Sequence, residues 1–242
     1  MYPGVYCTEH IVYLAVTLLL TVAGLAAVVR SVKSDRTLNV VTKLSAAALL
    51  AMICVNRVSV TAAQIRELEG YTWLNLLPYT FCGLASAVLS LTVLFTKQER
   101  LNDSRVLHFI SYFGIFGSVA TVFYPDFLEK QTFWDIRSVS GLVHHSLMLW
   151  LILLLFSKKL VRPSLKKWYC YPVGYIFVMF IGLLEIEMLN FREAMNIGQP
   201  LVGSLPVITS WYFLFFLSSM VVAAVGFVCD AAGKKTVPEN MA

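Results

Sequence analysis

Charge is what this sequence has least of. Only 14% of its 242 residues are Asp, Glu, Lys or Arg, and 58% are hydrophobic, whereas ordinary globular domains are about 25% charged. The few charges are separated by apolar runs long enough to cross a membrane. These features exclude a soluble enzyme, a nucleic-acid-binding protein and a disulfide-stapled secreted module. The net charge of +5 does not indicate nucleic acid, because the basic residues lie in short segments between apolar runs.

The motifs of several metal-binding and membrane proteins are also missing. The five cysteines form no CxxC pair, so we expect neither a metal nor a cofactor. A retinal protein would need a lysine between Leu201 and Cys229, and there is none. No GxSx motif of a rhomboid protease lies at membrane depth, and no HExxH zinc motif occurs. His144-His145 is followed by Ser146 instead of the cysteine that a protein palmitoyltransferase would have.

Seven apolar runs predict an all-α, seven-transmembrane-helix bundle, because continuous runs indicate helices and alternating ones indicate barrel strands. Lys43 interrupts the second run, which is the weakest, although a lysine near a helix end can extend to the membrane surface. We expect a single membrane domain over residues 1–230 and a flexible cytoplasmic tail over residues 231–242. The predicted helices cover about residues 11–29, 39–56, 72–96, 106–125, 138–157, 168–190 and 206–229.

The distribution of basic residues predicts the orientation of the bundle. With the N-terminus outside, the inner segments contain 14 of the 19 Lys and Arg residues and the outer segments contain 5. Cytoplasmic loops carry an excess of Lys and Arg. We therefore expect the N-terminus outside and the C-terminus in the cytoplasm. The oligomeric state is not predicted by any of these patterns.

Polar side chains at membrane depth predict an outward-opening cavity, because such groups usually face the bundle interior. Counted from the outer ends of their helices at 1.5 Å per residue, Cys82 lies about 15 Å deep and His145 about 10 Å deep. Asp126 or Glu185 is placed to orient the imidazole. Other polar or aromatic residues in this outer half are His10, Asn190, Trp211 and Tyr212.

Cys82 and His145 together predict nucleophilic catalysis. A buried thiol is inert unless a base or a positive charge assists it, and neutral imidazole is the usual base. Plainer alternatives stay open: a small core residue for Cys82, and a packing or hydrogen-bonding residue for His145. The sequence does not indicate whether helices three and five are neighbours.

Three further features concern the shape of this cavity. Pro78 lacks an amide hydrogen, so it predicts a kink in helix three just before Cys82. Ser86 shares a helix face with Cys82, and we expect both Pro78 and Ser86 to line the substrate space; close helix packing is the alternative for the serine. Glu185 and Glu187 point about 200° apart, so we expect only the deeper Glu185 to face inward.

Trp211 and Tyr212 begin helix seven and have two interpretations. We expect them to line the substrate space, and the alternative is that they belong to the aromatic belt at the membrane surface.

A series of short motifs runs along the chain between Glu9 and Phe227. They are Glu9-His10, Leu77-Pro78-Tyr79-Thr80-Phe81-Cys82, Gly117, Pro125-Asp126, His145-Ser146, Asn190-Phe191 and Trp211-Tyr212. In this order and spacing the chain resembles the YwaF-type family of bacterial integral membrane proteins. That family is distantly similar to eukaryotic seven-helix acyltransferases that act on ether phospholipids.

The resemblance implies roles for particular residues. In the eukaryotic relatives a cysteine in the helix-three motif forms an acyl-enzyme and a histidine in helix five assists. The motifs carry these roles to Cys82 and His145, with His144 as the alternate because the histidine pair is ambiguous. The resemblance also implies a bacterial cell membrane and a phospholipid or lysophospholipid substrate.

Two classes of function follow from these features. The first is a lipid acyltransferase, or an acyl-ester hydrolase if water is the acceptor, that works through an acyl-cysteine. The second is a non-catalytic transporter or lipid-binding protein that uses His145, Glu185 and Asp126 as proton or substrate sites. Membrane lipid is the expected partner in both classes, and nucleic acid is not.

Overall fold

The chain is described by a computed structural model that covers residues 4–200 and 206–234. These residues form α-helices and short 3-10 helices, with no strand among them, so the all-α prediction is confirmed. The helices are α1 (Thr8–Ser31), α2 (Asp35–Glu67), α3 (Phe81–Phe95), α4 (Arg105–Phe123), α5 (Ile136–Ser157), α6 (Cys170–Leu189) and α7 (Trp211–Lys234).

Six of these helices are long and apolar enough to span a membrane, and α3 is a shorter apolar helix. Of the most apolar 18-residue stretch, only 6% is buried in α1 and 11% in α7, whereas 61% is buried in α5. Apolar surface on this scale needs a lipid environment, because soluble proteins rarely expose large apolar patches. The protein is therefore a multi-pass membrane protein with α5 inside the bundle. The orientation of its termini stays a prediction.

The core is built around α5, which packs against α1, α2, α3 and α4. Leu142, Met148, Leu151 and Ile152 on α5 are fully buried. The helix α4 packs against α3, α5 and α6. The cavities described below lie where α3, which is flanked by α2, α4 and α5, begins and ends.

The boundaries of α2 differ most from the prediction of 39–56. The helix continues to Glu67 because Arg57 and Gln64 end the apolar run without ending the helix. Their side chains turn inward and bind the chain between Asn75 and Tyr79. Hydropathy shows where a helix stops being apolar, which need not be where the helix ends. The polar C-terminal part of α2 packs against other residues of the protein and not against lipid.

The lysine that interrupts the second apolar run caps another helix. The amine of Lys43 donates to the carbonyl oxygens of Val93 at 2.8 Å, Leu94 at 2.5 Å and Thr96 at 2.9 Å. These are carbonyls at the C-terminal end of α3, which have no partner within the helix. Lys43 is therefore a structural charge at the end of α3.

The start of α3 corrects two predictions, because the helix begins at Phe81 instead of residue 72 and contains no proline kink. Pro78 lacks an amide donor and disfavours a helical conformation at the residue before it, so residues 77–80 are not helical. Thr80 then caps the helix, and its Oγ1 accepts the amide of Gly83 at 3.2 Å. With 15 residues, α3 is about 22 Å long, less than the ~30 Å hydrocarbon core.

The end of α7 bears on the predicted tail. The helix runs from Trp211 to Lys234, so the segment predicted as flexible from residue 231 begins within a helix. Residues 235–242 of that predicted tail lie outside the described residues. The boundaries of α1, α4, α5 and α6 agree with the prediction to within three residues.

Candidate functional site

A cavity of about 510 Å³ lies at the N-terminal end of α3. Most of its lining is aromatic or aliphatic and comes from α3, α4, α6 and α7, with His145 from α5. We call this space the thiol cavity. Its polar lining residues are Thr80, Cys82, Thr121, Asp126, His145, Asn196 and Ser218. Three residues singled out in the sequence, Cys82, His145 and Asp126, thus line one space.

Cys82 is the second residue of α3 and faces α4. Thr121, on α4, lines the same cavity. The sulfur lies over Gly117, where an added methyl carbon would come within 2.8 Å of Sγ, well inside the ~3.5–4.0 Å optimal separation of nonbonded heavy atoms. Glycine at this position therefore makes the room that the thiol occupies.

His145 has a defined tautomer in this position. Its Nδ1 lies 2.6 Å from the carbonyl oxygen of Gly141, one turn earlier in α5. A carbonyl oxygen only accepts hydrogen bonds, so Nδ1 carries the proton and Nε2 keeps its lone pair. Nε2 is buried and has no hydrogen-bond partner among the described residues. The imidazole can therefore accept a proton at Nε2.

His144, the alternate to His145, does not line the thiol cavity. Its Nδ1 lies 3.0 Å from the carbonyl oxygen of Ser140, and the two histidine rings are 4.0 Å apart between centroids. Consecutive residues of a helix point about 100° apart. The structure therefore distinguishes the two histidines by the direction in which each side chain points.

Asp126 is the one carboxylate in the described lining of the thiol cavity. It follows Pro125 and begins the 3-10 helix Asp126–Glu129 after α4. It thus lies in the same lining as the thiol of Cys82 and the imidazole of His145.

Three other residues predicted for the cavity lie outside its lining. His10 is fully buried, and its Nε2 lies 3.0 Å from the carbonyl oxygen of Val122, which ties α1 to the end of α4. Glu185 is buried on α6, and Glu187 is exposed. Asn190 is exposed and ends α6 with a left-handed backbone, φ 55°.

The four residues expected to line the substrate space also lie elsewhere. Pro78 precedes α3 and is not part of the lining. Ser86 is fully buried, and its Oγ lies 3.4 Å from Met148 Sδ on α5, so α3 and α5 are neighbours. Trp211 and Tyr212 line a separate cavity of about 200 Å³ near the start of α7.

Arg57, one residue past the predicted end of helix two at residue 56, is buried near the site. One of its guanidinium nitrogens donates to the carbonyl oxygens of Asn75 and Leu77. The guanidinium carbon lies 4.5 Å from the ring centroid of Tyr79. Thr61 also donates to the Asn75 carbonyl, at 3.0 Å. The spacing of Arg57 and Thr61, one helical turn apart, is the sequence signal for this inward-facing polar surface.

The segment held by Arg57 leads directly into Cys82. The hydroxyl of Tyr79 accepts a hydrogen bond from Gln64 Nε2 at 2.7 Å. The backbone carbonyl of Tyr79 accepts a hydrogen bond from the backbone amide of Met195 at 2.9 Å. Tyr79 is thus held between α2 and the chain after α6, three residues before the thiol. Glu185 is buried on α6, and its Oε2 has no hydrogen-bond partner among the described residues.

Comparison with protein families gives one match. The model of the TMEM164 family, a family of membrane proteins, matches residues 5–229, so the chain belongs to this family. Neither the curated proteins nor the solved structures contain a match to it. The prediction of an integral multi-pass membrane protein is confirmed, whereas the YwaF-type resemblance and the acyltransferase relationship stay predictions.

Proposed function

We propose that this TMEM164-family protein is a lipid acyltransferase, or an acyl-ester hydrolase where water is the acceptor, that works through an acyl-cysteine at Cys82. The observation that carries this proposal is the thiol cavity, which is lined by Cys82, His145 and an otherwise largely apolar wall. Its 510 Å³ falls in the usual range for ligand pockets, about 300–1,000 Å³. An apolar wall suits the acyl chain of a membrane lipid.

The first half-reaction transfers the acyl group to the enzyme. The sulfur of Cys82 attacks the carbonyl carbon of the lipid ester while its proton passes to Nε2 of His145. The tetrahedral intermediate collapses, the bond between the carbonyl carbon and the alcohol oxygen breaks, and that oxygen takes the proton from Nε2. The products are a thioester at Cys82 and a lipid that has lost one acyl chain.

The second half-reaction returns the thiol. The hydroxyl group of an acceptor lipid, or water, gives its proton to Nε2 of His145 as its oxygen attacks the thioester carbonyl. The carbon–sulfur bond breaks, and the sulfur of Cys82 takes the proton back. A hydroxyl-bearing lysophospholipid gives acyl transfer, and water gives hydrolysis. Nδ1 keeps its proton through both steps and donates it in a hydrogen bond to the Gly141 carbonyl oxygen, which holds the tautomer.

The transporter alternative has weaker support in the geometry. It needs His145, Asp126 and Glu185 along one route, and Glu185 is not among the lining residues of the thiol cavity. Glu185 instead lies near Arg57, which binds the segment that leads into α3. This placement favours a structural role for Glu185.

A transfer assay with purified protein tests the proposal. The substrates are a phospholipid with a labelled acyl chain and a lysophospholipid acceptor, in detergent. Cys82→Ser should keep the fold, because the volume change is small, and should abolish both transfer and release, because an alcohol ionises far less readily than a thiol. The matched control is Cys54→Ser, since Cys54 is an exposed thiol on α2. Full activity in Cys82→Ser would overturn the acyl-cysteine mechanism.

A further inference from the structure

A second and larger cavity, of about 890 Å³, lies at the C-terminal end of α3. It is bounded by the N-terminal end of α2, the 3-10 helix Gln98–Asp103 and the chain that follows α5. We call it the basic cavity, because six Lys or Arg residues and only two carboxylates line it. The basic residues are Arg36, Lys43, Lys97, Lys158, Lys159 and Arg162, and the acidic ones are Asp35 and Glu99.

Two of the six cations are committed to helix ends. Lys43 donates to the last carbonyls of α3, and the amine of Lys158 donates to the carbonyl of Val32, at the end of α1, at 2.9 Å. The C-terminal end of a helix carries a partial negative charge that would repel an anion. These two lysines offset that charge, so the helix ends in the wall do not oppose a bound anion.

Among the residues that the structure describes, the other four cations have no acidic partner. Arg36, Lys97, Lys159 and Arg162 form no ion pair within the described part of the chain. Lys159 and Arg162 lie in the chain after α5. This chain is held against the 3-10 helix Gln98–Asp103, because the backbone amide of Arg162 donates a hydrogen bond to Asn102 Oδ1 at 2.9 Å. Like charges gathered around one space repel each other, and a bound anion would relieve that repulsion.

Lys159 occupies a position that normally favours glycine. Its φ is 56°, in the left-handed region, at the end of α5. Its amide donates to the Phe156 carbonyl at 3.0 Å and the next amide donates to the Leu155 carbonyl at 2.9 Å, which is the hydrogen-bond pattern of a helix ending at glycine. A lysine is disfavoured there, so the local backbone does not explain this residue, whereas a cationic role in the cavity does.

The cavity also has an apolar edge. Phe95, the last residue of α3, is 83% exposed and lines the cavity together with Leu160. The end of an apolar helix lies where the hydrocarbon core meets the head groups, and cationic side chains at that level attract anionic lipid. A soluble anion would make no use of an exposed phenylalanine, whereas a phospholipid offers a phosphate and an acyl chain to the same site.

We propose that the basic cavity binds the phosphate of an anionic phospholipid head group, with Lys159 and Arg162 as the principal ligands and Phe95 against the lipid chain. The site lies about 20 Å from Cys82, at 1.5 Å per residue along α3. It shares no lining residue with the thiol cavity. The proposal therefore stands independently of the acyl-cysteine mechanism.

Lipid retention measured by native mass spectrometry tests the site. The full chain is compared with phosphatidylglycerol and with phosphatidylcholine of the same acyl chains. Wild-type protein should retain phosphatidylglycerol in preference, and Lys159→Gly and Arg162→Gln should each weaken its binding about fivefold. Lys159→Gly should also keep or raise the melting temperature, since glycine suits the left-handed backbone, so a loss of binding in this variant cannot come from unfolding.

Lys166→Gln is the matched control. Lys166 is an exposed lysine in the nearby 3-10 helix Leu165–Lys167 and does not line the basic cavity, so its loss should leave binding unchanged. An equal loss in all three variants would mean that charge on this face acts diffusely, and equal retention of the two lipids, which carry the same phosphate, would mean that the cavity does not select an anionic head group. Either result overturns the proposal.

Inorganic phosphate, added to lipid-free protein in detergent, distinguishes a lipid from a soluble ligand. The proposal expects phosphate alone to compete weakly with phosphatidylglycerol, because it lacks the chain that contacts Phe95. Phosphate that binds as tightly as phosphatidylglycerol, with the same dependence on Lys159 and Arg162, would assign the site to a soluble phosphate compound and overturn the lipid assignment.

Discussion

The two ends of α3 carry cavities of opposite character. The thiol cavity, at the N-terminal end, has an aromatic and aliphatic wall with one carboxylate and one imidazole in its described lining. The basic cavity, at the C-terminal end, has eight charged residues in its lining. The first environment is suited to uncharged groups, since burial in apolar surroundings disfavours charge. The second accumulates positive charge. One short helix thus separates a space suited to acyl chains from a space suited to phosphate.

After the loss of the thiol itself, the largest effect on turnover is expected from the loss of the proposed base. His145→Ala should lower turnover by about 10²–10⁴-fold, the usual contribution of general-base catalysis. The double variant with Cys82→Ser should be scarcely worse than Cys82→Ser alone, because residues that act as a unit are not additive. Turnover of the purified variants provides the measurement. His144→Gln is the control, and an equal loss in that variant would contradict the assignment of the base.

Gly117→Ala tests whether turnover depends on the space beside the sulfur of Cys82 that the missing side chain of Gly117 leaves open. A methyl group there would lie 2.8 Å from Cys82 Sγ, and a displacement of about 1 Å at a reacting atom can cost about 10²-fold in rate. We expect a fall in turnover of about 10–100-fold. Gly114→Ala is the matched control, because its methyl group would meet Ile152 and Met148 instead. That change should lower the melting temperature more than the rate, and equal rates in the two variants would contradict the prediction.

Arg57→Lys tests the support of the chain that leads into Cys82. Lysine keeps the positive charge but lacks the planar guanidinium that donates to the Asn75 and Leu77 carbonyls while it lies over Tyr79. One charge-assisted hydrogen bond is worth about 1.5–3 kcal/mol, so we expect turnover to fall about tenfold. The kcat and KM values of Arg57→Lys should be compared with those of Arg66→Lys. Arg66 is an exposed arginine on the same helix. Wild-type kinetics in Arg57→Lys would remove Arg57 from the account.

The smallest effect concerns the start of α5, the helix that carries His145. Hydrogen bonds from the side chain of Arg137, at 2.9 and 2.7 Å, hold the pKa of Asp135 below its usual range. The stabilisation is therefore complete above the ordinary carboxyl pKa of about 4 and is lost as the pH falls through the lowered folded value. Asp135→Asn should lower the melting temperature at pH 7 by no more than about 2–4 °C.

The pH dependence of that difference gives the check. The gap in melting temperature between wild type and Asp135→Asn should narrow below about pH 4, where the wild-type carboxylate begins to take up its proton. A gap that widens on acidification would contradict the assigned ion pair.

The sequence predicted the apolar architecture well because lipid imposes one requirement on every spanning segment, and apolar runs report it directly. The prediction was wrong where a helix is surrounded by other protein segments instead of lipid. Arg57 ended an apolar run and was left outside the predicted helix 39–56. Its partners are backbone carbonyls of residues 75 and 77, which no local sequence pattern identifies. The proline before α3 was placed inside a helix because hydropathy does not distinguish a helix from the extended chain that leads into it.

The candidate site was predicted in part for a related reason. Position along the helices indicated that Cys82, His145 and Asp126 lie in the outer half of the bundle, and the structure places all three in one lining. The depth of a residue along its helix does not show which way its side chain faces. Glu185 and Asn190 were therefore assigned to a cavity that they do not line. The choice between His144 and His145 likewise depends on which helices surround α5. The basic cavity gathers residues from three chain segments, and only their tertiary packing brings them together.

Acylation of Cys82 is the central claim, and mass spectrometry of the protein after brief incubation with a phospholipid of defined acyl chain tests it most directly. The account predicts an adduct of the mass of that acyl group, on the peptide that contains Cys82, which hydroxylamine removes as it does other thioesters. The adduct should be absent in Cys82→Ser and present in Cys54→Ser. Lipid turnover by wild-type protein without an adduct on Cys82, or with the same adduct on another residue, would contradict the account.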